Sequence, residues 1–136
     1  MLANNYEFDM ILAVGGGSVI DTAKSIAVSY KSGIDPWKFN SHEVIPHKSM
    51  PIGVILTLSA AGSEMSSSCV ITNLELQIKQ GFNSEVNRPL FAIMNAELTY
   101  SVNKYQTACG NIQDLREPAL AILQKPPCFQ PFPQLL

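Results

Sequence analysis

The sequence predicts an α/β fold built on a parallel sheet, and three stretches carry that prediction. An unbroken apolar run at 10–14 is followed at once by three glycines and then by a helical pattern of apolar residues up to Tyr30. A second apolar run occupies 51–58, and a third occupies 90–94. Apolar runs without alternation are typical of strands buried on both faces of a parallel sheet. A strand, a tight turn and a helix, followed by further strands, therefore indicate parallel strands with flanking helices.

The first turn is the segment Gly15-Gly16-Gly17-Ser18. Three glycines let the main chain turn sharply and approach a ligand closely. Ser18 suits the N-cap of the helix, and Asp21 falls in its first turn, where the helix dipole favours a carboxylate or an anion. Free N–H groups at such a helix start bind phosphate. The segment therefore predicts a nucleotide or dinucleotide site.

Neither standard phosphate-binding motif is complete in this turn. In the dinucleotide pattern G-x-G-x-x-G, Gly15 and Gly17 fit, but Ile20 stands at the third glycine. The P-loop pattern fails because Ala23, not glycine, precedes Lys24. On these residues alone, a glycine turn that only joins a strand to a helix stays open as the alternative.

Composition and charge favour a globular protein of one domain. The 136 residues are 46% hydrophobic and 15% charged, with a formal net charge of -2. Low and scattered charge argues against a nucleic-acid or anionic-membrane partner. Cys69, Cys109 and Cys128 are odd in number and widely spaced, which suits reduced thiols in a cytoplasmic protein. We see no signal peptide and no apolar stretch as long as a membrane span.

Residues 30–50 read as a loop because turn residues recur along them. Trp37 and Phe39 are expected to pin this loop to the body of the protein. His42 and His47 lie five positions apart around Pro46, with no further metal ligand at a recognisable interval. We therefore interpret the two histidines as surface residues.

The apolar run at 51–58 has Thr57 near its end, and small and hydroxylated residues follow at 59–68. In an open parallel sheet, ligands bind beyond the carboxyl ends of the strands. Thr57 and the glycine turn should therefore lie on the same rim, with residues 59–68 available to line a cofactor. A flexible Ser-rich linker is the alternative interpretation of that run.

The remaining residues predict further short elements. Residues 69–72 and 79–82 predict two paired strands around a turn near Asn73, and 90–94 predicts another buried strand. Asn103 suits the N-cap of a helix over 104–115, which Pro118 ends. Four prolines between 124 and 136 predict an extended or disordered tail.

Taken in order, these motifs resemble the iron-containing alcohol dehydrogenase family, particularly its NAD(P)H-dependent, butanol-dehydrogenase-like branch. The resemblance covers roughly residues 9–110, and each motif is weak alone but strong in combination. The matching segments are Gly15-Gly-Gly-Ser-Val-Ile-Asp-Thr-Ala-Lys24, Asp35-Pro-Trp37, Pro51-Ile52, Leu56-Thr-Leu-Ser-Ala-Ala-Gly-Ser-Glu-Met65, Val70-Ile71-Thr72, Lys79-Gln-Gly81, Arg88-Pro-Leu-Phe-Ala-Ile-Met94, Leu98-Thr-Tyr100 and Gln106-Thr-Ala-Cys-Gly110.

The resemblance implies a Rossmann-like dinucleotide-binding domain over 1–110, with hydride transfer between NAD(P)H and an alcohol or aldehyde. In the family, a C-terminal helical domain holds Fe²⁺ or Zn²⁺, and that metal polarises the substrate oxygen. We expect this fold to be incomplete here. The strand–helix units that the family places before Met10 are missing, and the divergent, Pro-rich residues 111–136 do not match the helical metal domain.

Carried over position by position, the resemblance also assigns a dinucleotide site. Gly16, Gly17 and Ser18 would hold the pyrophosphate, with Asp21 supporting their turn. The residues on the adenosine and phosphate side would be Thr57, Leu58, Ser59, Ala60 and Ala61. The residues near the nicotinamide half would be Ser66 and Lys79. No catalytic residue is assigned.

Three departures from the family pattern bear on this implied function. Ala61 replaces a threonine, and Asn95-Ala96 replaces an Asp-Pro turn. At the metal site, Gln113 occupies the position of a ligand aspartate. Asp114 lies one residue late, which on a helix turns a side chain by about 100°. The ligand histidines of the family have no counterpart here, so we expect no metal site and no catalysis by these residues alone.

Two alternative functions stay open at this point. One is a non-catalytic nucleotide-binding module, or truncated remnant, that acts through a partner. An unpaired sheet edge and an uncovered apolar surface would favour such association, including a homodimer. The other is a zinc-dependent polyol or glycerol dehydrogenase, which shares the glycine turn, although Gly62-Ser63-Glu64 and Gln106–Gly110 argue against it.

Overall fold

The computed structural model of the chain describes residues 7–110, in which strands and helices follow one another in the predicted order. The elements are β1 (Ile11–Gly15), α1 (Gly17–Ser32), α2 (Trp37–Asn40), β2 (Ile52–Leu56), β3 (Ser68–Asn73), β4 (Ile78–Asn83), a 3-10 helix (Glu85–Asn87), β5 (Phe91–Ile93) and a second 3-10 helix (Ala96–Thr99). Residues 104–110 are helical up to the end of the described range. Among residues 7–110, no helix combines the length and apolarity needed to cross a bilayer.

Strands β1, β2 and β5 form a parallel sheet with β2 at its centre, which confirms the predicted α/β class. Helix α1 packs on one face of this sheet. Side chains alternate along a strand, so Ala13 of β1 and Val54 of β2 point to the same face and meet Ile20 of α1. These residues are at most 2% exposed, and they form the centre of the main core.

The opposite face of the sheet is not covered within residues 7–110, so the predicted burial on both faces is wrong for this part of the chain. Leu12 and Val14 of β1 are 50% and 54% exposed. Phe91 and Ile93 of β5 are 43% and 49% exposed, so the third strand is not the buried strand we expected. Parallel strands are usually apolar on both faces because helices cover both faces of the sheet. Among the described residues, a helix covers only one face, so the apolar side chains on the other face stay exposed.

The predicted strand pair is confirmed as the antiparallel hairpin β3–β4. It packs against α1 through a second core that contains Val28, Phe39, Cys69 and Phe82. The rings of Phe39 and Phe82 lie 6.0 Å apart between centroids. Phe39 therefore pins the loop after α1 as predicted, on the unpredicted short helix α2, whereas Trp37 is only half-buried. His42 and His47 are exposed, as expected for surface residues.

Three asparagine side chains stabilise the ends of elements. The Oδ1 atom of Asn73 accepts hydrogen bonds from two amides of the hairpin turn, each 3.0 Å long. Asn103 accepts from the N–H of Gln106 at 2.8 Å, which confirms it as an N-cap. Asn95 accepts from the N–H of Glu97 at 3.0 Å, so it caps the following turn although the family pattern has an aspartate there.

Helix α1 ends at Gly33, which adopts the left-handed conformation with φ 70° and donates to the carbonyl of Ser29. A side chain at position 33 would meet no atom within 4 Å, so only the backbone conformation penalises a substitution. We expect Gly33→Ala to lower the free energy of unfolding by about 1 kcal/mol, and Gly33→Asn to lower it less. Urea unfolding of the two variants measures this difference. Equal stability of Gly33→Ala and the wild type would contradict it.

Candidate functional site

The glycine turn and the segment after β2 meet at one rim of the sheet. Gly15 pairs with Leu56 at the last position of the β1–β2 register. One residue further, the N–H of Thr57 donates to the carbonyl of Gly15 at 3.1 Å. The prediction that Thr57 and the glycine turn share a rim is therefore confirmed.

Helix α1 starts with main-chain amides that have no acceptor in the part of the chain that the structure describes. The carbonyl of Gly16 accepts from the N–H groups of Val19 and Ile20, at 3.0 and 3.1 Å. Within residues 7–110, no protein group accepts from the N–H of Gly17 or Ser18. These two donors stand at the positive end of a 16-residue helix, where an anion is stabilised.

The glycines fit this turn for steric reasons. A Cβ atom on Gly15 would lie 2.8 Å from the Cβ of Val19, which is too close for any side chain. A Cβ atom on Gly16 would lie 3.3 Å from the Cβ of Leu58, so the segment after β2 packs directly on the turn. The predicted N-cap at Ser18 is wrong: Gly16 occupies that position, and exposed Ser18 is the second helical residue.

Asp21 does not lie in the first turn of α1, contrary to our prediction, because the helix begins two residues earlier than an N-cap at Ser18 implies. Its carboxylate is turned away from the helix start and towards two later segments. Oδ1 accepts from the hydroxyl of Ser63 at 2.5 Å, and Oδ2 accepts from the N–H of Val70 at 3.1 Å. Asp21 therefore joins α1 to the loop after β2 and to the hairpin.

Lys24 is the most deeply placed charge of the described residues, with 0% exposure. Its ammonium group donates to the carbonyls of Ser63, Ser66 and Ser68, at 2.8, 2.9 and 2.7 Å. It also lies 3.0 Å from the hydroxyl of Ser63 and 3.7 Å from Oδ1 of Asp21. Residues 63–68 are thus tied to the helix, so the flexible-linker interpretation is wrong.

Burial shifts the acidity of two groups in this cluster. Desolvation lowers the pKa of Lys24 below 10.5, against the opposing charges of Asp21, Cys69 and Glu64. Desolvation also raises the pKa of the Cys69 thiol above 9.0. That thiol lies 3.2 Å from the hydroxyl of Ser25 and donates to the carbonyl of Asp21 at 3.3 Å.

Lys24 was not predicted to belong to this region, although its position along α1 is a signal for it. Ile20, Ala23 and Ala27 mark the buried stripe of an amphipathic helix by their i, i+3 and i+7 spacing. Lys24 lies on that same stripe at i+4. A lysine at such a position must find several hydrogen-bond partners in the interior.

The residues predicted to line a cofactor divide into those that border the glycine turn and those that do not. Leu58 packs on Gly16, and Ser59 and Ala60 lie against Gly110, where an added Cβ would overlap the Ser59 carbonyl oxygen. Ala61 is exposed beside them. Ser66 is half-buried, and its hydroxyl oxygen accepts from the N–H of Ser68 at 2.9 Å.

Lys79 lies elsewhere, on the hairpin. It pairs with Thr72, four register positions from the Ser68–Asn83 pair. This corresponds to roughly 14 Å along the strand. Its side chain is exposed, and within residues 7–110 it makes no hydrogen bond to the glycine turn. The assignment of Lys79 to the nicotinamide half stays a prediction.

The described residues do not fit a metal ion of the kind that the resemblance implies. No group of three or more His, Cys, Asp or Glu side chains comes together within residues 7–110. Asp114 and Gln113, the positions discussed for a ligand, lie outside the described residues. We therefore derive no chemical step through a metal.

Comparison with protein families and curated proteins gives consistent matches. The family profile described as "Iron-containing alcohol dehydrogenase" matches residues 1–96. The probable NADH-dependent butanol dehydrogenase 2 of Bacillus subtilis is 42% identical over 111 residues, which are 82% of this chain and 28% of that protein. The NADPH-dependent aldehyde reductase YqhD of Escherichia coli is 38% identical over 112 residues, covering 80% of this chain and 29% of that protein.

The fold of the chain is also similar to that of a solved structure. The NADH-dependent butanol dehydrogenase A of Thermotoga maritima superposes with a TM-score of 0.81 at 32% sequence identity. The match covers 85% of this chain and 29% of that one. The chain thus spans less than a third of the length of each of these three relatives.

The lowered pKa of Lys24 should make the free energy of unfolding depend on pH. Between that lowered pKa and 10.5, the unfolded chain binds more protons than the folded chain. The contribution of Lys24 to the free energy of unfolding therefore rises with pH across this window. We expect the stability difference between wild type and Lys24→Met to grow in favour of the wild type as the pH rises through this window towards 10.5.

Urea unfolding across this pH range measures the difference. Both chains should carry Cys69→Ala. The raised pKa of the Cys69 thiol makes the free energy of unfolding fall as the pH rises above 9.0, which is opposite to the effect of Lys24. A difference between the two chains that stays constant with pH would contradict the prediction.

Proposed function

The chain belongs to the iron-containing alcohol dehydrogenase family, and from that premise we propose that it binds NAD(P)H. The function we propose is that of the dinucleotide-binding part of an oxidoreductase that transfers hydride between this cofactor and an alcohol or aldehyde. The observation that carries the proposal is the pair of open amides at Gly17 and Ser18, at the rim where Thr57 and Leu58 also lie.

The amides suit the pyrophosphate of a dinucleotide. Two N–H donors and the positive end of α1 converge where the glycine turn keeps side chains away. The carboxylate of Asp21 is engaged by Ser63 and Val70, so it does not compete with a phosphate for this position. We assign Gly16, Gly17 and Ser18 to the pyrophosphate on these grounds.

The remaining contacts follow from the segment after β2. Residues 57–61 run from the glycine turn towards Gly110, which suits the adenosine and phosphate side. Ser66 keeps a hydroxyl proton to donate, since its oxygen accepts from Ser68, and we assign it to the nicotinamide half. The place of Lys79 near the nicotinamide half stays a prediction from the resemblance, and its side chain is exposed on the hairpin.

NAD(P)H supplies the hydride in such a reaction, and the residues described here would bind and orient it. The curated relatives named above include one NADH-dependent and one NADPH-dependent protein. Because the chain spans 28% of the first of them and its described residues form no metal cluster, we propose binding without turnover. This corresponds to a nucleotide-binding module whose catalytic partners lie outside the described residues.

Substitution of Ser18 separates the amide from the side chain. Ser18→Pro deletes one open N–H at a position in the first helical turn where proline is tolerated. Ser18→Ala removes only the exposed hydroxyl and is the matched control. We expect NADH affinity to fall by about tenfold or more in Ser18→Pro, as for a lost hydrogen bond to a charged group. Fluorescence titration with NADH measures it, and equal affinity of the two variants would contradict the assignment.

Turnover of butanal distinguishes a binding module from a complete enzyme. We expect the 136-residue chain to bind NADH but not to oxidise it with butanal, with or without added Fe²⁺ or Zn²⁺. Absorbance of NADH at saturating butanal reports the reaction. Metal-dependent turnover would contradict the module and would show that residues outside 7–110 complete a metal site.

A further inference from the structure

We propose that Lys24 is a positioning residue of the dinucleotide site, holding the segment after β2 at a fixed distance from the glycine turn. The inference rests on the proposed function and adds to it a residue that touches no ligand. It follows from the contacts of the Lys24 ammonium group with residues 63–68, from the course of residues 57–63, and from the cost of burying a charge.

The ammonium group fixes three main-chain carbonyls at once. Those of Ser63, Ser66 and Ser68 lie 2.7 to 2.9 Å from Nζ, and an ammonium group has three N–H donors. A neutral side chain of similar length cannot donate to all three carbonyls. The course of the main chain from Ser63 to Ser68 therefore depends on the charge of Lys24.

The segment predicted to line the cofactor, residues 57–61, lies between two anchors, which are the hydrogen bonds at Thr57 and at Ser63. At one end, the N–H of Thr57 donates to Gly15 at 3.1 Å. At the other, the carbonyl of Ser63 accepts from Lys24 at 2.8 Å and its hydroxyl donates to Asp21 at 2.5 Å. Between them, Leu58 packs on Gly16. The Cβ of Ser63 lies 3.9 Å from the position of a Cβ on Gly17. A shift of the second anchor therefore changes the width of the space beside the open amides.

Stability alone does not account for a lysine at this position. Position 24 lies on the buried stripe of α1 that also holds Ile20, Ala23 and Ala27. Burying an ammonium group carries a desolvation cost, and the replacement of a whole buried ion pair by well-packed apolar side chains is often neutral or stabilising. What an apolar side chain cannot supply is the convergence of three carbonyls on one point. The positional role is therefore the feature that lysine adds.

The experiment compares NADH affinity with folding stability in the 136-residue chain. Lys24→Met keeps the length and apolar stem of the side chain but removes the donors. Ser29→Ala is the matched control, because it removes a different buried hydrogen-bond donor of α1. The Ser29 hydroxyl donates to the carbonyl of Ile34 at 2.6 Å, near the end of the helix opposite the rim. Both variants are titrated with NADH at a temperature where near-UV circular dichroism shows them folded.

We expect Lys24→Met to bind NADH about tenfold more weakly or worse, and Ser29→Ala to bind with wild-type affinity although it unfolds at lower urea. A purely structural role would weaken binding in both variants only in proportion to their unfolded fraction. Folded Lys24→Met with wild-type affinity would overturn the inference while leaving the proposed function intact.

Two further outcomes are decisive. If Lys24→Met does not fold, Lys24→Gln replaces it, since the glutamine amide has two N–H donors and leaves at least one of the three carbonyls without its partner. About threefold weaker NADH binding is then expected, as for loss of one hydrogen bond, and unchanged affinity overturns the inference. If the wild-type chain does not bind NADH, the proposed function fails and this inference fails with it.

Discussion

A single buried ammonium ion joins the three parts of this structure. Lys24 leaves the buried stripe of α1 and ends among carbonyls of the segment after β2 and of the first residue of the hairpin. Asp21, one helical turn earlier, contacts the same two regions through Ser63 and Val70. An isolated buried charge is strongly unfavourable, and here the carbonyls and the carboxylate compensate for the lost water. The helix, the rim and the hairpin are thus constrained by one polar cluster rather than by apolar packing alone.

Much of the fold was predictable because its signals are local. The glycines of the first turn reveal the change from strand to helix, and the asparagine side chains at 73 and 103 each bond to amides two or three residues away. The same locality explains the failures. Asp21 looked like a helix-dipole residue because its partners, Ser63 and Val70, lie 42 and 49 positions further along the chain. No window of neighbouring residues contains such a pairing.

For the candidate site, the sequence predicted that the glycine turn and Thr57 share a rim, but not how that rim is built. Gly16, Gly17 and Thr57 were predictable from the rule that ligands bind at the carboxyl ends of parallel strands. The packing of Leu58 on Gly16, and of Ser59 against Gly110, depends on how the segment after β2 folds back. The open face of the sheet was not predictable either. Apolar strands indicate that both faces need to be covered, but they do not show which residues cover them.

The position of Lys24 has a consequence for local opening of the protein. If residues 63–68 move away from α1, the ammonium ion loses its acceptors and must take up water at the same moment. The first strand of the hairpin cannot separate from the helix without the same event, because the Ser68 carbonyl is one of those acceptors. Amide hydrogens on both sides of the cluster should therefore exchange with solvent as one cooperative unit, with a shared opening free energy rather than graded fraying along the chain.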